Sequence, residues 1–212
     1  MFQDRTEAGQ RLAAELTRRE IDADVVLAIP RGALPVARPV ADEFRADLDV
    51  VVASKVGAPG NPELAIGAVA SDGSGWLTDA LVERLGVSDA YVEETWERER
   101  EAAAEKAARY REGEPVPNLD GKRVVVVDDG LATGATARAC LRQVREAGAE
   151  HVVLALPVAS PDSIDAVAGD ADETVVLQTP PHFRAVGQFY EQFPQVPDEE
   201  ALALLHGDGD SG

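Results

Sequence analysis

The sequence predicts an α/β domain: a parallel sheet with helices on both faces, one long insertion and a small C-terminal hood. Three observations predict it. Short runs rich in β-branched residues recur at Val25–Ile29, Leu48–Ala53, Lys122–Val127, His151–Leu156 and Thr174–Leu177. Stretches with helical periodicity separate most of them, and strands that read as continuous apolar runs belong to sheets covered on both faces. A length of 212 residues suits one such domain and buries enough surface to need no disulfide or metal staple. Right-handed crossovers then bring the strand C-termini to one edge, where ligands bind in open α/β sheets.

Asp4–Glu20 reads as an amphipathic helix with Ala8, Leu12 and Leu16 on one face. The first strand, Val25–Ile29, ends in the turn Pro30-Arg31-Gly32-Ala33, and a helix follows from Pro35 to Phe44. Leu48–Ala53 is the second strand and Lys122–Val127 the third. A helix over Gly134–Ala147, a strand at His151–Leu156, a helix over Pro161–Val167 and a strand at Thr174–Leu177 complete the alternation.

Two parts interrupt it. The insertion, about 56–121, holds a Gly/Pro-rich stretch at Gly57–Leu64, a further strand at Ile66–Ala70 and a charged helix over Ser88–Glu112. That helix carries an apolar stripe of Val92, Trp96, Ala103, Ala107 and Tyr110, with i,i+4 pairs Glu94–Arg98 and Glu105–Arg109. It reads as a solvated surface arm. The hood, about 178–206, is rich in Phe and Pro, and Phe189, Tyr190 and Phe193 are expected to pack a C-terminal helix on the core. His151 opens a strand, and His206 falls near a fraying end. Residues 1–206 thus form a single domain, and 207–212, all Gly, Asp and Ser, read as a disordered tail.

Acidic residues number 39 against 20 basic, a formal net charge of −19. Such a field repels polyanions, so nucleic acid is excluded as a general partner. Lysine is scarce: Lys55, Lys106 and Lys122 are the full set. An acidic, lysine-poor surface resembles those of proteins from salt-loving organisms, where concentrated salt screens self-repulsion. The single cysteine, Cys140, allows no intramolecular disulfide and no cysteine-based zinc site. Met1–Gln10 has no apolar core, and no apolar run approaches a membrane span. The expectation is a cytoplasmic protein without a membrane partner.

The chemistry concentrates in Val124-Val-Val-Val-Asp-Asp-Gly-Leu-Ala-Thr-Gly-Ala-Thr136. An apolar strand runs into two carboxylates, then a turn of small residues and a helix. The helix N-terminus offers unpaired N–H groups and partial positive charge. Gly134 and Ala135 admit a phosphate close to the backbone, and Thr133 and Thr136 add hydroxyl donors. Asp128 and Asp129 suit the vicinal hydroxyls of a sugar, or the water ligands of Mg²⁺. No G-x-x-x-x-G-K-[ST] run occurs, and no G-x-G-x-x-G follows a strand, so P-loop and Rossmann sites are disfavoured.

Val-Asp-Asp-Gly-Leu-Ala-Thr-Gly-Ala-Thr resembles the phosphoribosyl pyrophosphate motif of type I phosphoribosyltransferases. Strand order and the first loop extend the likeness over most of Val25–Leu177. It is nearest to uncharacterised phosphoribosyltransferase-like proteins that carry the stretch Lys55–Ala68. The resemblance implies that Asp128 and Asp129 bind the ribose 2- and 3-hydroxyls. It implies that Thr133, Gly134, Ala135 and Thr136 hold the 5-phosphate, with Gly130, Leu131 and Ala132 in the same binding loop. Arg31 and Gly32 stand where the family binds pyrophosphate through backbone N–H groups, and Lys55 is a candidate pyrophosphate contact. Gly57–Gly67 stands for either a mobile cover or an ordinary ordered loop.

The implied reaction is transfer of the phosphoribosyl group to a nitrogenous acceptor, with Mg²⁺ as cofactor and pyrophosphate as product. In 6-oxopurine enzymes of the family an aspartate lies three residues after the second acid. Ala132 stands there, which argues against hypoxanthine or guanine. The acceptor itself stays unnamed. His182, Phe183 and Arg184 are the candidate acceptor pocket: Phe183 to stack on a ring, His182 or Arg184 to address its edge. Glu63, as a base from the insertion, is the weaker candidate. The resemblance also fits a regulator that binds phosphoribosyl pyrophosphate or a nucleotide without turnover. A homodimer is the expectation for such folds.

Overall fold

The computed structural model describes residues 1–207. The expected tail lies outside the described residues beyond Gly207. In chain order the elements are α1 (Arg5–Arg18), β1 (Val25–Ala28), α2 (Leu34–Phe44), β2 (Asp47–Val50), β3 (Ala53–Ala58), β4 (Asn61–Ala70), β5 (Gly75–Leu77), α3 (Asp79–Leu85), α4 (Asp89–Arg111), β6 (Arg123–Val127), α5 (Ala135–Glu146), β7 (His151–Val158), α6 (Pro161–Val167), β8 (Glu173–Gln178) and α7 (Asp198–His206).

Five strands form a parallel sheet in the order β2-β1-β6-β7-β8. Alternate residues of each strand feed opposite faces. Val26, Ala28, Val125, Val127, Val153 and Ala155 pack on α1, α2 and α7, through Leu12, Leu16, Val36, Val40 and Leu205. Val25, Leu27, Val124, Val126, Val152 and Leu154 pack on α5 and α6, through Cys140, Leu141, Val144 and Val167. The expected fold class is therefore the observed one.

The second strand is shorter than its apolar run. Val51 N–H still donates to Ala28 C=O at 3.0 Å, but β2 ends at Val50 and β3 opens a second sheet. Val51 and Val52 point into opposite core layers as the chain crosses between sheets.

The Gly/Pro-rich stretch, expected as a mobile cover or an ordinary ordered loop, is an antiparallel hairpin. β3 pairs with β4 from Ala53↔Ala70 to Ala58↔Asn61, and β5 adds a third strand. Pro59 and Gly60 make its turn, and the register shifts at Gly57. Its proline and glycine serve turn and bulge. Tyr91 Oη donates to Gly57 C=O at 3.1 Å and ties the bulge to α4.

α4 corrects the reading of a solvated arm. Ala103, Ala107 and Tyr110 are buried in the main core, while Val92 and Trp96 pack on the hairpin. The stripe was real and has partners on both sides. Arg98 pairs with Glu99 at 3.1 Å and Arg109 with Asp198 at 3.6 Å, in place of the expected i,i+4 partners.

The hood aromatics also differ from expectation. Phe183, Phe189, Tyr190 and Phe193 cluster with Phe2 and Ala8 near the chain's start and with Val158 at the end of β7, not with α7. The backbone completes this seam: Phe2 N–H to Phe189 C=O and Glu191 N–H to Phe2 C=O, both at 2.8 Å. α7 instead packs through Ala201 and Leu205 into the main core, and His206 Nε2 lies 3.1 Å from Tyr110 C=O. Among the described residues no helix is long and apolar enough to cross a membrane.

Candidate active site

β6 emerges from the sheet between β1 and β7 and delivers Asp128 and Asp129 to its C-terminal edge. There a cleft of about 330 Å³ opens, lined by Pro30, Gly32, Lys106, Asp128, Asp129 and Thr136 among others. Thus the turn after β1, the helix of the insertion, the paired acids and the first turn of α5 meet at one place.

Asp129 is fixed from several sides. Arg5, in the first turn of α1, donates from Nε to Asp129 Oδ2 at 2.8 Å. The same guanidinium donates to Pro194 C=O at 2.7 Å and lies 3.6 Å over the Phe193 ring. Tyr190 Oη donates to Asp129 C=O at 2.6 Å. Opposite the carboxylate, Gly32 has no room for a side chain, since a Cβ would stand 2.4 Å from Asp129 Oδ2. Asp128 Oδ1 accepts the Asp129 N–H at 2.8 Å, which orients the first acid against the second.

Behind the acids the chain turns into α5 through Gly134, whose φ of +75° is left-handed. Gly134 caps α5 and brings no side-chain hydrogen bond to the helix start. Ala132 and Thr133 are exposed there and Thr136 is half-buried. Ser160 and Ser163 brace the turn from α6, where Ser163 Oγ donates to Leu131 C=O at 3.0 Å. Trp76 Nε1 donates to Ala135 C=O at 3.0 Å and fastens the hairpin sheet to the same helix start.

Electrostatics follow from burial. Desolvation, reinforced by the charge of Asp129, pushes the Asp128 carboxyl well above the usual range. Desolvation also raises Asp129, opposed by the Arg5 guanidinium. Burial lowers the Lys106 ammonium from its usual value. Among the described residues Asp128 forms no ion pair, and the charges of Arg5 and Lys106 offset its desolvation only in part. A hard cation with oxygen ligands fits that deficit. No group of three or more His, Cys, Asp or Glu is arranged for a metal among the described residues, so such a cation would draw further ligands from water and substrate.

The predicted residues divide. Asp128, Asp129, Gly32 and Thr136 line the cleft, and Gly130–Ala135 form the adjoining turn. The Pro30–Arg31 peptide is cis, and the Arg31 guanidinium pairs with Asp198 at 2.7 Å. Lys55 is exposed on β3, outside the cleft lining. His182 and Arg184 are exposed, and Phe183 stacks on Phe189 with centroids 5.2 Å apart. Glu63 is exposed on β4. The sequence reading missed Arg5, Lys106 and Tyr190. Lys106 did leave a signal: it falls at i+3 from Ala103, on the face that carries Ala107 and Tyr110. Arg5 left none.

A family model for the phosphoribosyl transferase domain matches residues 3–194. The chain belongs to that family. Among curated proteins it is similar to one from Mycobacterium tuberculosis named "Putative phosphoribosyl transferase", 43% identical over 205 residues. That match covers 97% of this chain and 46% of the relative, so the chain spans about half the length of the curated relatives it matches. An amidophosphoribosyltransferase from Methanothermobacter thermautotrophicus is 32% identical over 78 residues, covering 35% of this chain and 16% of the relative. Among solved structures it is similar to a protein from Thermus thermophilus, TT1426, with a TM-score of 0.83 and 42% identity over 97% of both chains.

Proposed function

We propose that the cleft binds phosphoribosyl pyrophosphate with Mg²⁺ and transfers its phosphoribosyl group to a small nitrogenous acceptor. The observation that carries this is the meeting, at one cleft, of two half-buried acids, a glycine-capped helix start and a turn whose Gly32 leaves no room for a side chain. In this reading Asp128 and Asp129 accept hydrogen bonds from the ribose 2- and 3-hydroxyls. Backbone N–H groups over Ala132–Thr136, with the Thr133 and Thr136 hydroxyls, hold the 5-phosphate. The turn at Arg31–Gly32 presents backbone N–H groups to the pyrophosphate. Mg²⁺ beside Asp128 and Asp129, held largely through water, would neutralise the leaving group.

The anomeric C–O bond breaks with its electron pair on pyrophosphate. A nitrogen lone pair of the acceptor forms the new C–N bond, and an N–H proton of the acceptor leaves to solvent. This chain's part is positioning and electrostatic support rather than covalent chemistry. Arg5, Tyr190 and Gly32 serve it by holding Asp129 in one place. The hairpin and α4 bound the cleft and limit water. Ala132 offers no carboxylate to a base, which supports an acceptor other than hypoxanthine or guanine. Cytoplasmic location and a homodimer belong to the same proposal and are carried by the family alone.

In this reading most of the acidity is a surface property, separate from the groups that would bind the donor's phosphates. We extend the proposal to a salt-adapted protein, whose ligand binding persists at high ionic strength. The test is pyrophosphate release from phosphoribosyl pyrophosphate and Mg²⁺ over a panel of bases and amines, in dilute and molar salt. Release with one acceptor class is expected. Tight binding without release on any acceptor would favour a regulator over an enzyme.

A further inference from the structure

A cleft that carries two carboxylates must still hold a donor with several negative charges. The arginines near it are committed. Arg5 serves Asp129 and Pro194 C=O, and Arg31 is paired with Asp198. Lys55 stands outside. Lys106 is the only basic side chain lining the cleft among the described residues, and it forms no ion pair there. Its Nζ donates to Pro30 C=O at 2.9 Å, beside the turn that carries Gly32. An ammonium has three donors, so two remain for a ligand. Ala103, Ala107 and Tyr110 anchor its helix in the core, so a rigid element sets its position.

We infer that Lys106 is the side-chain cation that binds the pyrophosphate group of the donor and stabilises the charge it gains on leaving. This rests on the donor reading above. As the anomeric C–O bond breaks, the electron pair passes to the pyrophosphate oxygen, and Lys106 stays protonated beside it. A half-buried ammonium without an ion-pair partner gains from an arriving anion. The insertion helix thereby delivers charge to the site without any loop closing.

The experiment is calorimetry with three probes in Mg²⁺: phosphoribosyl pyrophosphate, inorganic pyrophosphate and ribose 5-phosphate. Lys106→Met removes the charge and keeps the stem. Lys106→Gln also keeps a donor for Pro30 C=O, which separates support of the turn from charge. Both variants should bind phosphoribosyl pyrophosphate and pyrophosphate about 10- to 100-fold more weakly, the range for a lost charge-assisted hydrogen bond. Ribose 5-phosphate affinity should stay within about twofold, and Lys106→Arg should recover part of the loss. Equal weakening of all three probes, or no weakening, would overturn the role of Lys106 alone. Failure of the wild-type protein to bind either sugar phosphate would overturn the donor reading, and this role with it.

Discussion

Gly32→Ala probes the tightest point of the site. A Cβ at this position would stand 2.4 Å from Asp129 Oδ2 and 3.2 Å from its Cγ. Ordinary carbon contacts lie near 3.5 Å, so the carboxylate must retreat by roughly 1 Å. It cannot do so freely, because Arg5 holds Oδ2 at 2.8 Å and is itself clamped by Pro194 and Phe193. Overpacking costs about 1–3 kcal/mol, and weakening a charge-assisted hydrogen bond up to about 1.5–3 kcal/mol. A net loss of about 2–4 kcal/mol lowers Tm by roughly 5–15 °C in a domain of this size. Ligand affinity falls as well, because Asp129 leaves its place: about tenfold or more for ribose 5-phosphate with Mg²⁺. Thermal melts and calorimetry read both effects. Gly169→Ala is the control, since nothing lies within 4 Å of a Cβ there. If Gly32→Ala melted within about 1 °C of wild type and bound normally, the clamped geometry of Asp129 would be wrong.

Further tests address other parts of the structure. Asp128 and Asp129 have raised pKa values when folded, so the folded state keeps protons that the unfolded chain releases near pH 4. Their contribution to stability is therefore lost as pH rises from about 4 through the folded values. Asp128→Asn should flatten that slope and raise Tm at pH 7, while phosphoribosyl pyrophosphate binding disappears; melts of both proteins from pH 4 to 8 check the difference. Ala103→Asp puts an unpaired charge at a fully buried position of α4 and should cost more than about 3 kcal/mol, against about 0.5 kcal/mol or less for exposed Ala102→Asp. Equal denaturation midpoints for the two would restore the solvated-arm reading of that helix. Burial pushes the Cys140 thiol up, so the folded protein should resist a thiol reagent at pH 8 and react once unfolded. Rapid labelling of the native protein would contradict its place in the core.

Much of the site was legible because its signals are local. The run from Val124 to Thr136 holds strand, acids, turn and helix start in consecutive residues, and the structure keeps them in that order. Apolar runs likewise located the parallel strands, because β1, β6 and β7 are buried on both faces and the edge strands β2 and β8 in part. What was not legible depends on contacts far apart in the chain. Arg5 meets Asp129 across 124 residues, and nothing near Arg5 announces it. The run Leu48–Ala53 looks like one strand, since Val51 and Val52 are as apolar as the strand before them; only their opposite core layers reveal the crossing. Proline and glycine in Gly57–Leu64 read equally as loop or as turn and bulge. α4 misled because its charged face dominates its composition, while Val92, Trp96, Ala103, Ala107 and Tyr110 decide its packing.

The central claim is that the paired acids and the glycine-capped start of α5 form a donor site that works with Mg²⁺. The most direct test is a calorimetric titration of phosphoribosyl pyrophosphate with and without Mg²⁺, run on the wild-type chain and on the variant carrying Asp128→Ala and Asp129→Ala. Saturable, Mg²⁺-dependent binding at one site, lost in a double variant that still folds, is the predicted result. Unchanged affinity in the folded double variant, or no binding by the wild type in either dilute or molar salt, would contradict the account.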